Sequence, residues 1–349
     1  MAKNNNITFI HIMAALMVIL GHEYVLLGYE APKIFGFSIH TLGVRTLFLI
    51  SGLLVSRSYI RNNNCFVFWT KRLWRLYPSF VVCVILTVLI LFPLDTAGGY
   101  WKDALKNIYY GLTIHPLSRM GDVFISNPYP GSINGSLWTL PIEIACYLFV
   151  VPVINIYKYI KSHNRHIANC FVISFVASLS LISAVLNHML TIQHLVFYGT
   201  DWTRGLELIV FFFIGTAFCL MEMEKYCDWQ SSIVLLVVSI SLFWKNGFLC
   251  SLIMPFIIGY FLLTFATAKP PRFEHVIKRD ICYGLYLYAF PVQQLLIYFI
   301  KVKFRLNIPT IGYFFVSLLF IWSISEITYC LIEEPFAILW SRMTNRSRS

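Results

Sequence analysis

Eight ionisable side chains stand inside apolar stretches of this chain: His11, His22, Glu23, Arg45, Arg57, Glu143, Glu207 and Glu326. Charged groups in hydrocarbon are costly, and they usually face a bundle interior, often for function. His22 and Glu143 are the pair best suited to chemistry. A carboxylate beside an imidazole orients the ring and raises its basicity, as a general base requires. His22 lies about a turn and a half from the outer end of its stretch, and Glu143 about two turns below the outer end of its own. Helix rise alone therefore allows them a similar depth; two satisfied interior polar groups are the alternative. Glu23 is another candidate partner for His22, although adjacent positions on a helix diverge by about 100°.

His11 precedes His22 by eleven residues. At helical pitch the two rings project from one face, about 16 Å apart. One ring would meet the inner half of a channel and the other its outer half, or His11 would only snorkel to the interface. Arg72 and Arg75 share a helix face at a spacing of three, with Lys71 adjacent and Arg57 at the inner end of the preceding stretch. Such a cluster suits phosphate, either on a soluble ligand or on membrane lipid.

These residues need a membrane scaffold to hold them. Of the 349 residues, 58% are hydrophobic and 12% charged, with a mean hydropathy of +0.71. A soluble chain carries about 25% charged residues. Ten stretches are apolar and near spanning length, at 7–27, 40–60, 77–95, 137–157, 167–187, 204–222, 232–246, 250–268, 281–300 and 310–330. The expected fold is thus all-α and polytopic, a single membrane-embedded unit over 1–349. Placing the N-terminus inside puts most of the 27 Lys and Arg residues on inner segments, which favours two cytoplasmic termini.

The first stretch is too long for a signal peptide and lacks a clear cleavage site. The net charge of +11 points to anionic headgroups and ligands rather than nucleic acid. The nine cysteines form no CxxC pair, so no metal site or disulfide framework is expected. Residues 61–78, basic and aromatic, read as a cytoplasmic interfacial helix. Residues 96–136 read as a long extracytoplasmic loop, and 331–349 as a cytoplasmic tail.

Several motifs occur together in order. They are Ile7-Thr8-Phe9-Ile10-His11 through Gly21-His22; Phe48-Leu49-Ile50-Ser51-Gly52-Leu53-Leu54; and Lys71-Arg72-Leu73-Trp74-Arg75-Leu76-Tyr77-Pro78. Gly135-Ser136-Leu137-Trp138-Thr139-Leu140 follows, with Glu143 and Tyr147, then Ile281-Cys282-Tyr283-Gly284-Leu285-Tyr286-Leu287-Tyr288 with Phe290-Pro291, and finally Glu333-Glu334-Pro335. The series resembles acyltransferase family 3, the bacterial integral-membrane O-acyltransferases that include polysaccharide O-acetyltransferases. One departure stands out: many members carry arginine where this chain has His11.

The resemblance implies transfer of an acyl group, usually acetyl, from cytoplasmic acyl-coenzyme A to a hydroxyl of a surface or exported polysaccharide, in a bacterial inner membrane. Arg72 and Arg75, with Lys71, Arg57 and His11, would hold the coenzyme A end. His22 would act as general base oriented by Glu143, or would itself carry the acyl group. Trp138, with Asn134, Ser136 and Arg45, would line the acceptor site. The expected partners are acetyl-CoA, a glycan acceptor and membrane lipid, with no metal; homo-oligomerisation stays open. A proton-coupled transporter or flippase of a glycan or lipid-linked precursor is the rival reading of buried His and Glu.

Overall fold

The computed structural model describes residues 5–34, 36–96, 98, 100–115, 119–188, 194–243, 247–268 and 279–346. The expected inner residues Lys3, Lys269, Arg272, Lys278 and Arg348 lie outside them. Twelve α-helices follow in order: α1 (Asn5–Leu26), α2 (Ile39–Asn62), α3 (Cys65–Leu91), α4 (Tyr100–Leu112), α5 (Leu140–His163), α6 (Arg165–His188), α7 (Trp202–Leu220), α8 (Trp229–Phe243), α9 (Gly247–Thr267), α10 (Cys282–Ile297), α11 (Thr310–Thr328) and α12 (Glu334–Arg346). Strand structure among the described residues is confined to two short hairpins, Lys33–Ile34 with Phe37–Ser38 and Val196–Phe197 with Thr200–Asp201.

The protein is an all-α polytopic membrane protein. Nine helices among the described residues are long and apolar enough to cross a bilayer. The expected stretch at 232–246 appears as the shorter α8. It still runs between the two faces: Trp229 lines the basic inner cavity described below, and Gly247, just past its far end, adjoins His188 at the outer end of α6. The first and last described helices begin and end on one face. Asn6 donates to the carbonyls of Phe265 and Ala268 at the end of α9, while Phe336 and Trp340 of α12 pack on Trp74 near the start of α3.

Helices α2 and α7 form the tightest seam. A side chain at Gly52 would strike the Phe212 carbonyl, and one at Gly215 the Leu49 carbonyl, so only glycine permits this approach. The seam carries much of the largest apolar core, including Leu49, Leu53, Phe212 and Phe213.

Three segments differ from expectation. Residues 65–91 are one continuous 27-residue helix with Pro78 inside it, so the basic aromatic stretch is the inner half of a span rather than a separate interfacial helix. Asn63, in the left-handed region at φ 46°, ends α2, and the Asn64 side chain caps α3 by accepting from the Val67 amide at 3.1 Å. That tight turn leaves no room for an intervening surface segment. The region 96–136 contains α4, which folds back along α3: Gly111 adjoins Val84, and the Tyr77 hydroxyl donates to the Leu112 carbonyl at 3.0 Å. The tail begins as α12, joined to α11 by a turn of wide helix at Tyr329–Glu333 and docked on α3.

Candidate active site

Two adjoining cavities enter the bundle from its basic end. The larger, of about 1500 Å³, opens at the inner face and is lined by Arg57, Arg61, Lys71, Lys158, Lys161 and Lys225 among others. A smaller chamber of about 110 Å³ lies deeper, between α1, α2, α3, α5 and α10. Leu54, Arg72 and Arg75 line both, so the arginine pair stands at the passage between them. Their spacing of three on α3 turns both toward that opening.

Arg72 is 6% exposed; its guanidinium lies over the Phe68 and Tyr147 rings at 5.6 and 5.8 Å, and its Nε has no hydrogen-bond partner. Such rings attract a cation without neutralising it, which leaves the charge available to an anion. Lys71 is half-buried on the cavity wall, and Arg57 is paired with Glu224.

The chamber gathers polar groups from distant parts of the chain. Glu143 accepts a hydrogen bond from the Tyr147 hydroxyl one turn along α5, and its ionisable neighbours are Arg75, Arg72 and His11. His11 Nδ1 meets the Asp280 carboxylate at 3.1 Å. Burial works against the Asp280 charge, but His11 and Arg75 outweigh it and hold the carboxyl down at about 2. Above the arginines, Tyr283 and Tyr286 of α10 and Thr139 complete the wall. The Tyr286 hydroxyl donates to the Ser136 carbonyl at 2.7 Å and contacts Thr139 Oγ1 at 2.6 Å.

The expected pairing of His22 with Glu143 does not form: among the described residues no hydrogen bond or ion pair joins them. Glu143 is brought instead to the His11 end of α1. His22 packs on His40 and on the edge of Phe290, each at 5.6 Å between ring centroids, and its buried Nδ1 has no partner. Phe290 follows Tyr286 by four residues and His40 precedes Val44, another chamber residue, by four. The His22 layer therefore lies about 6 Å, one helical turn, beyond the chamber's outer end. Equal distance from two helix ends did not make equal depth, because α5 is preceded by a turn of 3-10 helix, Gly135–Thr139, that already runs inside the fold. Glu23 is fully buried and turned away from His22: Gln293 and Ser317 donate to one of its oxygens at 2.7 and 2.8 Å.

The residues expected to meet the acceptor are divided. Asn134 uses its side chain within the fold, donating to the Leu287 carbonyl at 2.9 Å and accepting from the Ser136 amide at 3.2 Å. Ser136 is buried beside it with Oγ unpartnered, and half-buried Trp138 packs against the main core. Gly135 adjoins the Phe290 ring, so this segment reaches the His22 layer. Arg45 is not part of that layer. It is buried in an ion pair with Glu207 across α2 and α7, against Phe37 and Phe211, and lines a separate small cavity.

Asp280, Tyr283 and Tyr286 were not singled out as site residues from the sequence. Asp280 had one visible signal, an acid following Lys278 and Arg279 in an otherwise basic segment.

Comparison with known proteins agrees with this architecture. The model of the family described as "Acyltransferase domain" (acyltransferase family 3) matches residues 4–326. An O-acetyl transferase of Shigella phage Sf6 is 30% identical over 345 residues, covering 96% of this chain and 97% of its own. The O-acetyltransferase OatA of Staphylococcus aureus (strain NCTC 8325 / PS 47) is 27% identical over 333 residues, covering 84% of this chain and 52% of its own, so the match spans about half of that longer protein. Nodulation protein 10 of Rhizobium leguminosarum bv. viciae is 30% identical over 168 residues, 44% of this chain and 45% of its own. No solved structure matches. The ordered motifs, the bundle they build and a family match over almost the whole length make this chain a member of acyltransferase family 3, a multi-pass membrane acyltransferase.

Proposed function

We propose that the protein is an O-acetyltransferase that carries acetyl from cytoplasmic acetyl-CoA to a hydroxyl of a surface or exported polysaccharide, in a bacterial inner membrane with both termini cytoplasmic. One observation carries the reading: a basic cavity at the inner face adjoins a polar chamber through Arg72 and Arg75, and the chamber ends one helical turn below an imidazole whose Nδ1 has no hydrogen-bond partner. In this reading the coenzyme's phosphates rest among Arg57, Lys71, Arg72 and Arg75, and its pantetheine arm passes between the arginines. Glu143 and Tyr147 hold the guanidinium groups in place from the far side, and His11 is fixed by Asp280.

The acceptor approaches from the outer face, beside Trp138 and the segment at Gly135. Its hydroxyl gives its proton to His22 as the oxygen attacks the thioester carbonyl. The carbon–sulfur bond then breaks, and the departing coenzyme A thiolate takes the proton back from His22. What supports this role is that His22 Nδ1 has no protein hydrogen bond to break before it takes that proton.

The test is release of free thiol from acetyl-CoA by the reconstituted protein with a glycan acceptor present. His22→Ala is expected to abolish release while the protein still inserts and purifies. Near-normal release would remove His22 as the base. Proton-coupled glycan flux without thiol release would favour transport, and an acetyl group trapped on His22 would replace direct transfer by a covalent route.

A further inference from the structure

The inner cavity holds a second basic group, apart from the arginine pair, that comes from three separate elements. Lys158 and Lys161 project from the last turns of α5, Arg57 from the end of α2, and Lys225 from the turn after α7. These cations are not idle. Glu222 bridges Lys161, at 3.3 Å, and Lys225, while Glu224 holds Arg57. Lys158 donates to the Asn63 side chain at 2.7 Å and lies over the Tyr59 ring.

Glu222 is held in an unusual way. Its backbone is in the left-handed region at φ 56°, which a residue with a side chain seldom adopts and which clusters at functional sites. Lys225 and Lys161 keep its carboxyl down at about 2. The pairs are nonetheless partly exposed, with side-chain exposures of 35 and 40% for Lys161 and Glu222. Partly exposed ion pairs are weak, so an anion with more charge than a carboxylate can exchange for one. A terminal phosphate carries close to two charges near neutral pH and three acceptor oxygens.

We infer that Lys161, Lys225 and Arg57 form a phosphomonoester subsite that Glu222 and Glu224 occupy at rest, and that the 3′-phosphate of the donor's nucleotide displaces them. The inference rests on the proposed use of a coenzyme A thioester and adds which part of the donor is recognised and what guards the site. Trp229, on the same cavity wall between Phe261 and Phe265, places an aromatic edge near the attached adenine. The two carboxylates make the empty cavity less attractive to other anions, so that the subsite selects for a full phosphate rather than for any negative charge.

The experiment compares acetyl-CoA with 3′-dephospho-acetyl-CoA as donors for the full chain, in vesicles of neutral phosphatidylcholine and in vesicles with added phosphatidylglycerol. KM for the dephospho donor is expected to be about tenfold higher, the loss of one or two charge-assisted hydrogen bonds. Lys161→Ala and Lys225→Ala should raise KM for acetyl-CoA by a similar factor and leave KM for the dephospho donor unchanged. Glu222→Gln should do the reverse of a damaging change, lowering KM for acetyl-CoA about two- to fivefold. Equal KM values for the two donors, with thiol released from both, would overturn the subsite and leave the proposed reaction standing. A lysine effect confined to vesicles with phosphatidylglycerol would assign the cluster to lipid phosphate and overturn it too. Thiol release from neither donor would remove the donor itself, and the subsite with it.

Discussion

The two histidines of α1 stand on one helix in opposite surroundings. His11 is tied to the Asp280 carboxylate and shares a chamber with two arginines and Glu143. His22, eleven residues farther out, has aromatic neighbours and a buried nitrogen without a partner. The Asp280 carboxylate fixes the orientation of the His11 ring in the chamber wall. The His22 Nδ1 has no protein hydrogen bond to give up to an entering hydroxyl. In the proposed reading the same side chain serves a binding task at one depth and proton transfer at another, through the helices packed against it.

The sharpest break between the two sites is expected from truncating each ring. His22→Ala should lower thiol release about 10²- to 10⁴-fold, the usual range for a lost general base. His11→Ala should act mainly through KM and by about tenfold. If the order is reversed, the inner ring is the base and the outer one a packing residue. Next in size, Asp280→Asn should match His11→Ala, and the double variant should be no worse than either single one. Additive losses in that cycle would show that Asp280 acts on something other than His11.

A smaller effect is expected beside the outer ring. Glu23→Leu removes the acceptor that Gln293 and Ser317 share between α1, α10 and α11, leaving Gln293 only the Ile19 carbonyl and Ser317 only the Phe314 carbonyl, and should cost about 1–3 kcal/mol, read as a lower melting midpoint in detergent. Glu23→Gln keeps an acceptor oxygen there and should retain most of the stability. Equal losses for the two variants would mean that the hydrogen bonds do not matter.

The smallest effect concerns pH. Asp280 and Glu222 both titrate near 2 in the folded protein, below their unfolded values. A lowered carboxylate stabilises the fold above its unfolded pKa, and that stability is lost as pH falls through the folded value. Neither group should therefore change donor affinity between pH 8 and pH 5. A break near pH 5 that Asp280→Asn or Glu222→Gln abolishes would show that the cations beside that carboxylate do not hold it low.

Much of the architecture could be read from the chain because hydrocarbon permits few arrangements. Long apolar stretches must be helices there, and charges among them must turn inward. The same logic marked His11, His22 and Glu143 as candidate site residues, while a spacing of three marked Arg72 and Arg75. It also misled at particular points. Residues 61–78 look interfacial when their charges are counted, yet those charges line a water-accessible cavity and so remain inside a span. Arg45 stood out as a buried cation, but its partner Glu207 lies 162 residues away, and no local pattern joins them.

Periodicity and composition by themselves determined the helices, their approximate number, the shared face of His11 and His22, and the arginine pair's common direction. Those are properties of neighbours along one helix, at distances the backbone geometry dictates. Which carboxylate meets which histidine was decided only by tertiary packing. Glu143 went to the inner chamber and Asp280 to His11, because α5 and α10 enter the bundle at depths set by the side chains of other helices rather than by counting from their own ends.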